Sequence, residues 1–194
     1  MTEYKSWPLG QLPPEFQRPE LDQLKKNGYK FSDPREVVDI FEKKVAKFAG
    51  AKYGIAVDCC SHGLFLSLKW YKDVMKMITE HIHIPRYTYC SVPMQIIHAG
   101  FKPVFEDVTW SGMYQLRPFD IWDGAVRWTQ GMYKSGFHIV SFQLKKRIPI
   151  GRGGMILTND EKAADWFRKM TYDGRDLTIS YMDDDFEYCG YHYY

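Results

Sequence analysis

Between Tyr53 and Met170 the chain alternates short β-branched or aromatic runs with stretches of helical apolar spacing. No other feature restricts its fold as strongly. The runs are Tyr53–Val57, His81–Pro85, Pro103–Asp107, Phe119–Asp123, Phe137–Phe142 and Met155–Thr158. Between them, Leu64, Phe65, Leu68 and Met75 predict the buried face of one helix, and Ser91 to His98 predict a second that stops at Gly100. A last helix carries Ala163, Ala164, Phe167 and Met170 inward, with Asn159 or Asp160 as its cap. An earlier one opens at Asp33-Pro34, aligns Val37, Val38, Phe41, Val45 and Phe48, and ends at Gly50. This spacing predicts an α/β fold with a mostly parallel sheet flanked by helices. Thr109 to Pro118 reads as irregular.

Three segments are expected. Residues 1–31, rich in Pro, Gln and charge, form an N-terminal arm with at most a short helix from Glu20 to Lys26. Such an arm suits packing on a partner subunit. Residues 32–172 form the α/β domain, and the polar, aromatic residues 173–194 a tail with no helical stripe.

Composition narrows the function classes. A net charge of +2, from 26 basic and 24 acidic residues, gives no broad basic field for nucleic acid. No apolar run reaches membrane-spanning length, and the first residues lack the order of a signal peptide, so a cytoplasmic protein is expected. The four cysteines, Cys59, Cys60, Cys90 and Cys189, have no zinc-finger or CxxC spacing and read as reduced thiols.

Chemistry concentrates in FHIVSFQLKKRIPIGRGGMILT, Phe137 to Thr158, where a basic, glycine-containing connection joins two strands. A lysine held there can be desolvated into a nucleophilic amine, or Lys145-Lys146-Arg147 is a solvated turn. Cys60-Ser61 sits at a strand-to-helix turn suited to a phosphate, although Ser61 also suits an ordinary N-cap. Asp123 ends an apolar strand and needs a cationic or donor partner, either a pyridinium nitrogen or an arginine such as Arg127. Tyr89 offers a ring that stacks on a flat ligand or simply packs.

Along most of its length the chain resembles the DegT/DnrJ/EryC1/StrS sugar aminotransferases, pyridoxal-phosphate enzymes of the aspartate aminotransferase fold. The blocks FEKKVAKFAGAKYGIAVDCCSHGLFLSL, IPRYTYCSVPMQIIHAGFKPVFEDV, FDIWDGA, VSFQLKKRIPIGRGGMILTND and GYHYY stand in the family's order. The resemblance implies that Lys146, placed by its spacing to Gly154, is the Schiff-base lysine and Lys145 only its neighbour. It implies that Asp123 pairs with the pyridine nitrogen, that Ser141, Ser61 and Cys60 lie at the cofactor phosphate, and that Tyr89 stacks on the ring. His192 takes the place of an asparagine that reaches the phosphate from the other subunit.

The implied activity is transfer of an amino group, from glutamate as donor, to a keto group of a nucleotide-linked sugar, with pyridoxal 5'-phosphate as cofactor. The implied assembly is a homodimer with a shared site. The departures are Cys59-Cys60-Ser61 in place of Ser-Gly-Thr, and Trp122-Asp123-Gly124-Ala125 without the usual leading glutamate. The matching blocks stop within GYHYY, so the expectation is a minimal form without the family's small C-terminal domain. The alternatives are a non-catalytic dimerising or binding remnant, and an enzyme acting on another amine or keto compound such as a modified nucleotide.

Overall fold

The computed structural model describes residues 19–30 and 35–194. The proposed cap Asp33 and first-turn Pro34, and most of the N-terminal arm, lie outside the described residues. The chain divides into two compact units, Met1–Ile40 and Phe41–Tyr194. The first contains α1, Pro19–Lys26, and the opening of α2, Arg35–Ala49.

The second unit holds the strands. Its main sheet has five, in the order β1 (Tyr53–Val57), β7 (Gly154–Thr158), β6 (Phe137–Ser141), β5 (Ile121–Asp123) and β4 (Tyr114–Gln115). A separate parallel pair joins β2 (His81–Pro85) to β3 (Lys102–Glu106). Helices α3 (Cys60–Lys69), α4 (Ser91–His98) and α5 (Glu161–Thr171) complete the α/β architecture. The main sheet is mixed: β5 and β6 run parallel, whereas β1–β7, β7–β6 and β5–β4 are antiparallel. Connection length accounts for the last pairing, because the short link from Gln115 to Ile121 cannot hold a crossover and permits only an antiparallel neighbour. The parallel pair meets the main sheet through reciprocal backbone bonds between His83 and Arg117 of 2.8 and 3.1 Å.

The sheet's two faces differ. Ile121, Phe137, Ile139 and Ile156 pack with Leu64, Leu68, Ile96 and Phe167 in one core cluster. Val140, Met155 and Leu157 pack with Val45, Ala46 and Ala49 in the other. Strand alternation therefore assigns Asp123, which pairs with Ile139, and Ser141, two residues beyond Ile139, to the face covered by α3.

Some predicted core positions move outward. Met75 is 53% exposed because a π-helical turn, Trp70–Val74, follows α3 and rotates the chain, burying Trp70 instead. Phe48 is half-exposed and stacks on Trp128, 5.1 Å between centroids, while Glu42 takes a buried place on α2 and accepts from the Ala56 N–H at 2.6 Å. The tail after α5 returns to the core edge. Tyr191 N–H donates to Met170 O and Tyr193 N–H to Thr171 O, and both rings pack on the α3-side cluster. No helix among the described residues is long and apolar enough to cross a membrane.

Candidate active site

The site forms where the carboxyl ends of β5 and β6 meet the N-terminus of α3, the position at which α/β sheets collect ligands. Gly154 opens β7 directly beneath that helix start. A Cβ on Gly154 would lie 2.5 Å from Cys60 N and 2.7 Å from Cys59 C, so only glycine lets the strand approach the helix backbone. Ser141 is the register partner of Gly154, which brings it to the same turn.

Asp123 is the electrostatic centre. Its carboxylate is buried, and Oδ2 accepts a 2.7 Å bond from the Tyr114 hydroxyl while Oδ1 accepts a 3.0 Å bond from Ala125 N–H. Burial pushes its carboxyl above the ordinary range; the bonds from Tyr114 and Ala125 and the positive charge of Lys146 pull the other way. Both bonded partners are neutral. Arg127, the alternative cation, instead acts on His138, whose ring lies on the opposite face of the sheet.

The two lysines of the loop are distinguished by their surroundings. Lys145 is exposed, whereas Lys146 is half-buried and its charge acts on both Asp123 and Cys60. A backbone bond from Lys146 N–H to Gln143 O, 2.8 Å, closes the turn that presents it. The Cys60 thiol is held protonated, first by burial and then by the negative charge of Asp123, so it is a neutral neighbour and not a nucleophile. Ser61 shares a 2.7 Å hydroxyl bond with Ser91 at the start of α4. Thus Cys60, Asp123, Ser141 and Lys146 converge, with Ser61 on the same first helical turn.

Tyr89 and His192 stand apart from that group. Tyr89 is 73% exposed, although the preceding Thr88 hydroxyl bonds Tyr114 and ties the segment to Asp123. His192 is exposed, bridges to Tyr172 in the backbone and bonds Asp173 at 3.0 Å through Nδ1. Within this chain it does not join the Asp123 group.

Tyr114 is one residue of this cluster that sequence reading missed. It lies in the stretch read as irregular, and a two-residue strand is too short to show a period. Its phenol is buried and its proton is held tightly by burial and by the charge of Asp123, which makes it a fixed donor. Arg152 is a second omission: it clamps Asp58 with bonds to Oδ2 at 2.7 Å and to the backbone O at 3.2 Å, joining the lysine loop to the turn before α3.

Comparisons with known proteins bear on the fold and the family. SpsC of Bacillus subtilis, a spore coat polysaccharide biosynthesis protein, is 27% identical over 202 residues, covering 80% of this chain and 50% of that protein. The chain thus spans about half the length of the curated relative it matches. Among solved structures, the sugar aminotransferase CalS13 from Micromonospora echinospora matches with a TM-score of 0.72 at 15% identity, over 91% of this chain and 62% of that one. NtdA from Bacillus subtilis, with its bound cofactor PMP, matches with a TM-score of 0.68 at 15% identity, over 89% of this chain and 47% of that one. At such identity these two likenesses speak for the fold. The sequence itself is matched over residues 15–121 and 130–193 by the model of one family, and on that extent the chain belongs to the DegT/DnrJ/EryC1/StrS aminotransferase family.

Proposed function

We propose that this protein binds pyridoxal 5'-phosphate and moves an amino group from a donor, glutamate, to a keto group on a nucleotide-linked sugar. The observation that carries the reading is the buried Asp123 carboxylate, bonded only to neutral groups, in a site that also receives the charge of Lys146. A buried carboxylate calls for a cation, and a protonated pyridine nitrogen supplies one. Ser61 lies on the first turn of α3, and Ser141, the register partner of Gly154, ends its strand beside the same turn, so two hydroxyls stand near a helix N-terminus whose N–H groups suit a phosphate.

Each residue then has a task. Asp123 keeps the pyridine nitrogen protonated, Tyr114 holds Asp123 in place, and Ser61 and Ser141 offer hydroxyls to the phosphate. The Lys146 Nζ would hold the cofactor aldehyde, and its amine is the group of this chain placed to hold or move a proton there. The bound cofactor supplies the electron sink that makes the substrate's α-proton removable. Tyr89, exposed in the single chain, covers the ring, and His192 reaches the site of a second copy in a homodimer. The family membership, and the similarity to CalS13 and to a structure holding PMP, support this assignment.

The test is stoichiometric cofactor uptake by the purified chain, followed by formation of 2-oxoglutarate from glutamate. Uptake together with turnover supports the transferase. Uptake without reaction toward glutamate or other amino donors supports the non-catalytic reading, and no uptake contradicts the transferase.

A further inference from the structure

The turn before α3 carries a second cluster that the cofactor reading does not use. Asp58, Cys59 and His62 place a carboxylate oxygen, a thiol sulfur and an imidazole nitrogen within 4.8 Å of one another. Cys59 occupies the N-cap of α3 yet makes no side-chain capping bond, so its sulfur is not engaged by the helix backbone. A His62 ring nitrogen lies within 4.8 Å of that sulfur, and Nδ1 lies 2.6 Å from Asp58 Oδ1.

The cluster is held from outside. Arg152 bonds Asp58 Oδ2 at 2.7 Å and leaves Oδ1 facing His62. Tyr193 stacks on the His62 ring at 3.8 Å and 13°, and its carbonyl accepts the Asp58 N–H at 2.7 Å. Outer contacts of this kind fix the orientation of a metal ligand before the metal arrives. The side chains around the cofactor region are different ones, since Ser61 bonds Ser91 and Cys60 faces Asp123.

We propose that Asp58, Cys59 and His62 form a three-ligand site for zinc(II). Thiolate, imidazole and carboxylate are the donors that zinc takes, and three protein ligands leave one position for water or an added ligand. Around tetrahedral zinc, bond lengths near 2.0 to 2.3 Å set ligand atoms roughly 3.3 to 3.7 Å apart. The ligand atoms lie within 4.8 Å of one another, and a turn of the Asp58 carboxylate away from His62 opens their 2.6 Å separation toward that spacing. Binding releases the thiol proton to solvent, moves the His62 Nδ1 proton to Nε2 or, from a charged ring, to solvent, and replaces the Asp58–His62 hydrogen bond with two metal bonds. This site does not depend on the proposed aminotransferase activity.

Cobalt(II) titration of the reduced protein tests it. The expected result is a thiolate-to-cobalt charge-transfer band in the near ultraviolet with visible ligand-field bands, saturating at one equivalent and abolished by zinc. The band is lost in Cys59→Ser and in His62→Ala and kept in Cys90→Ser. If Cys59→Ser fails to fold, His62→Ala and the zinc dependence of the wild-type melting temperature decide. No band in the wild type, or a band that survives Cys59→Ser or His62→Ala, overturns the proposal. So does a band that requires Cys60 instead of Cys59.

Discussion

The Tyr114 hydroxyl donates a 2.7 Å hydrogen bond to Oδ2 of Asp123, and the Thr88 hydroxyl bonds that same phenol oxygen. Because the phenol keeps its proton, donation runs from Thr88 to Tyr114 to the carboxylate. Tyr114→Phe leaves Oδ2 buried without a donor, at a cost of about 1 to 3 kcal/mol in urea unfolding. It also pushes the Asp123 carboxyl further up, since the lost bond favours the charged form. The acid limb of the pH dependence of cofactor uptake therefore moves to higher pH in the variant.

Asp123→Asn separates stability from function. Burial raises the folded carboxyl's pKa, so between the unfolded and folded values the folded state binds more protons, and stability falls as pH rises through that window. Asparagine carries no such cost. Without cofactor, wild type should lose stability relative to the variant as pH rises through that window, on top of a pH-independent cost in the variant from the amide NH2 that faces the Tyr114 or Ala125 donor. Amino transfer should drop by about 10²-fold or more as the protonated pyridine loses its partner. Calorimetry across pH and a glutamate assay check the two halves.

The glycine after Asp123 is explained by the histidine beside it. A Cβ on Gly124 would overlap Nε2 of His138, a fully buried ring. Gly124→Ala should cost about 1 to 3 kcal/mol by overpacking. In a His138→Ala background the same change should cost far less, and a double-mutant cycle measures the coupling. Additive effects would show that the two positions do not meet.

His138 also sets an acid limit. Burial, and then the charge of Arg127, pull its pKa from 6.5 down to about 4, and neither ring nitrogen has a hydrogen-bond partner. The unfolded chain takes up the proton first, so stability is complete above pH 6.5 and is lost as pH falls toward 4. The loss amounts to about 3 kcal/mol. Relative to His138→Leu, wild type should weaken by that amount across the window, opposite in sign to the Asp123 effect. Equal slopes in both proteins would contradict the assignment.

The parts legible in sequence are those that local physics decides. Tyr53–Val57 and His81–Pro85 form strands with the bounds read from their apolar runs, and Asp160 caps α5 by accepting from Ala163 N–H at 3.1 Å. The choice of Lys146 over Lys145 comes from the resemblance to the family's lysine block and not from local pattern, and in the structure Lys146 is the less exposed of the two. The antiparallel β4–β5 pairing was not legible, because it follows from the short connection at a two-residue strand that shows no period. Nor was the exposure of Met75, which depends on one π-helical turn. Tyr114 reaches Asp123 across only nine residues, but through a two-residue strand too short to show a period, and Arg152 reaches Asp58 across 94 residues. No local pattern announces such contacts.

The central claim is that Lys146 is the amine that takes the cofactor. Borohydride reduction of the protein after incubation with pyridoxal 5'-phosphate, followed by peptide mass spectrometry, reads this directly. The account predicts one pyridoxyl adduct per chain, on Lys146, absent in Lys146→Ala and retained in Lys145→Ala. An adduct on Lys145, an adduct spread over surface lysines, or none at saturating cofactor would contradict it.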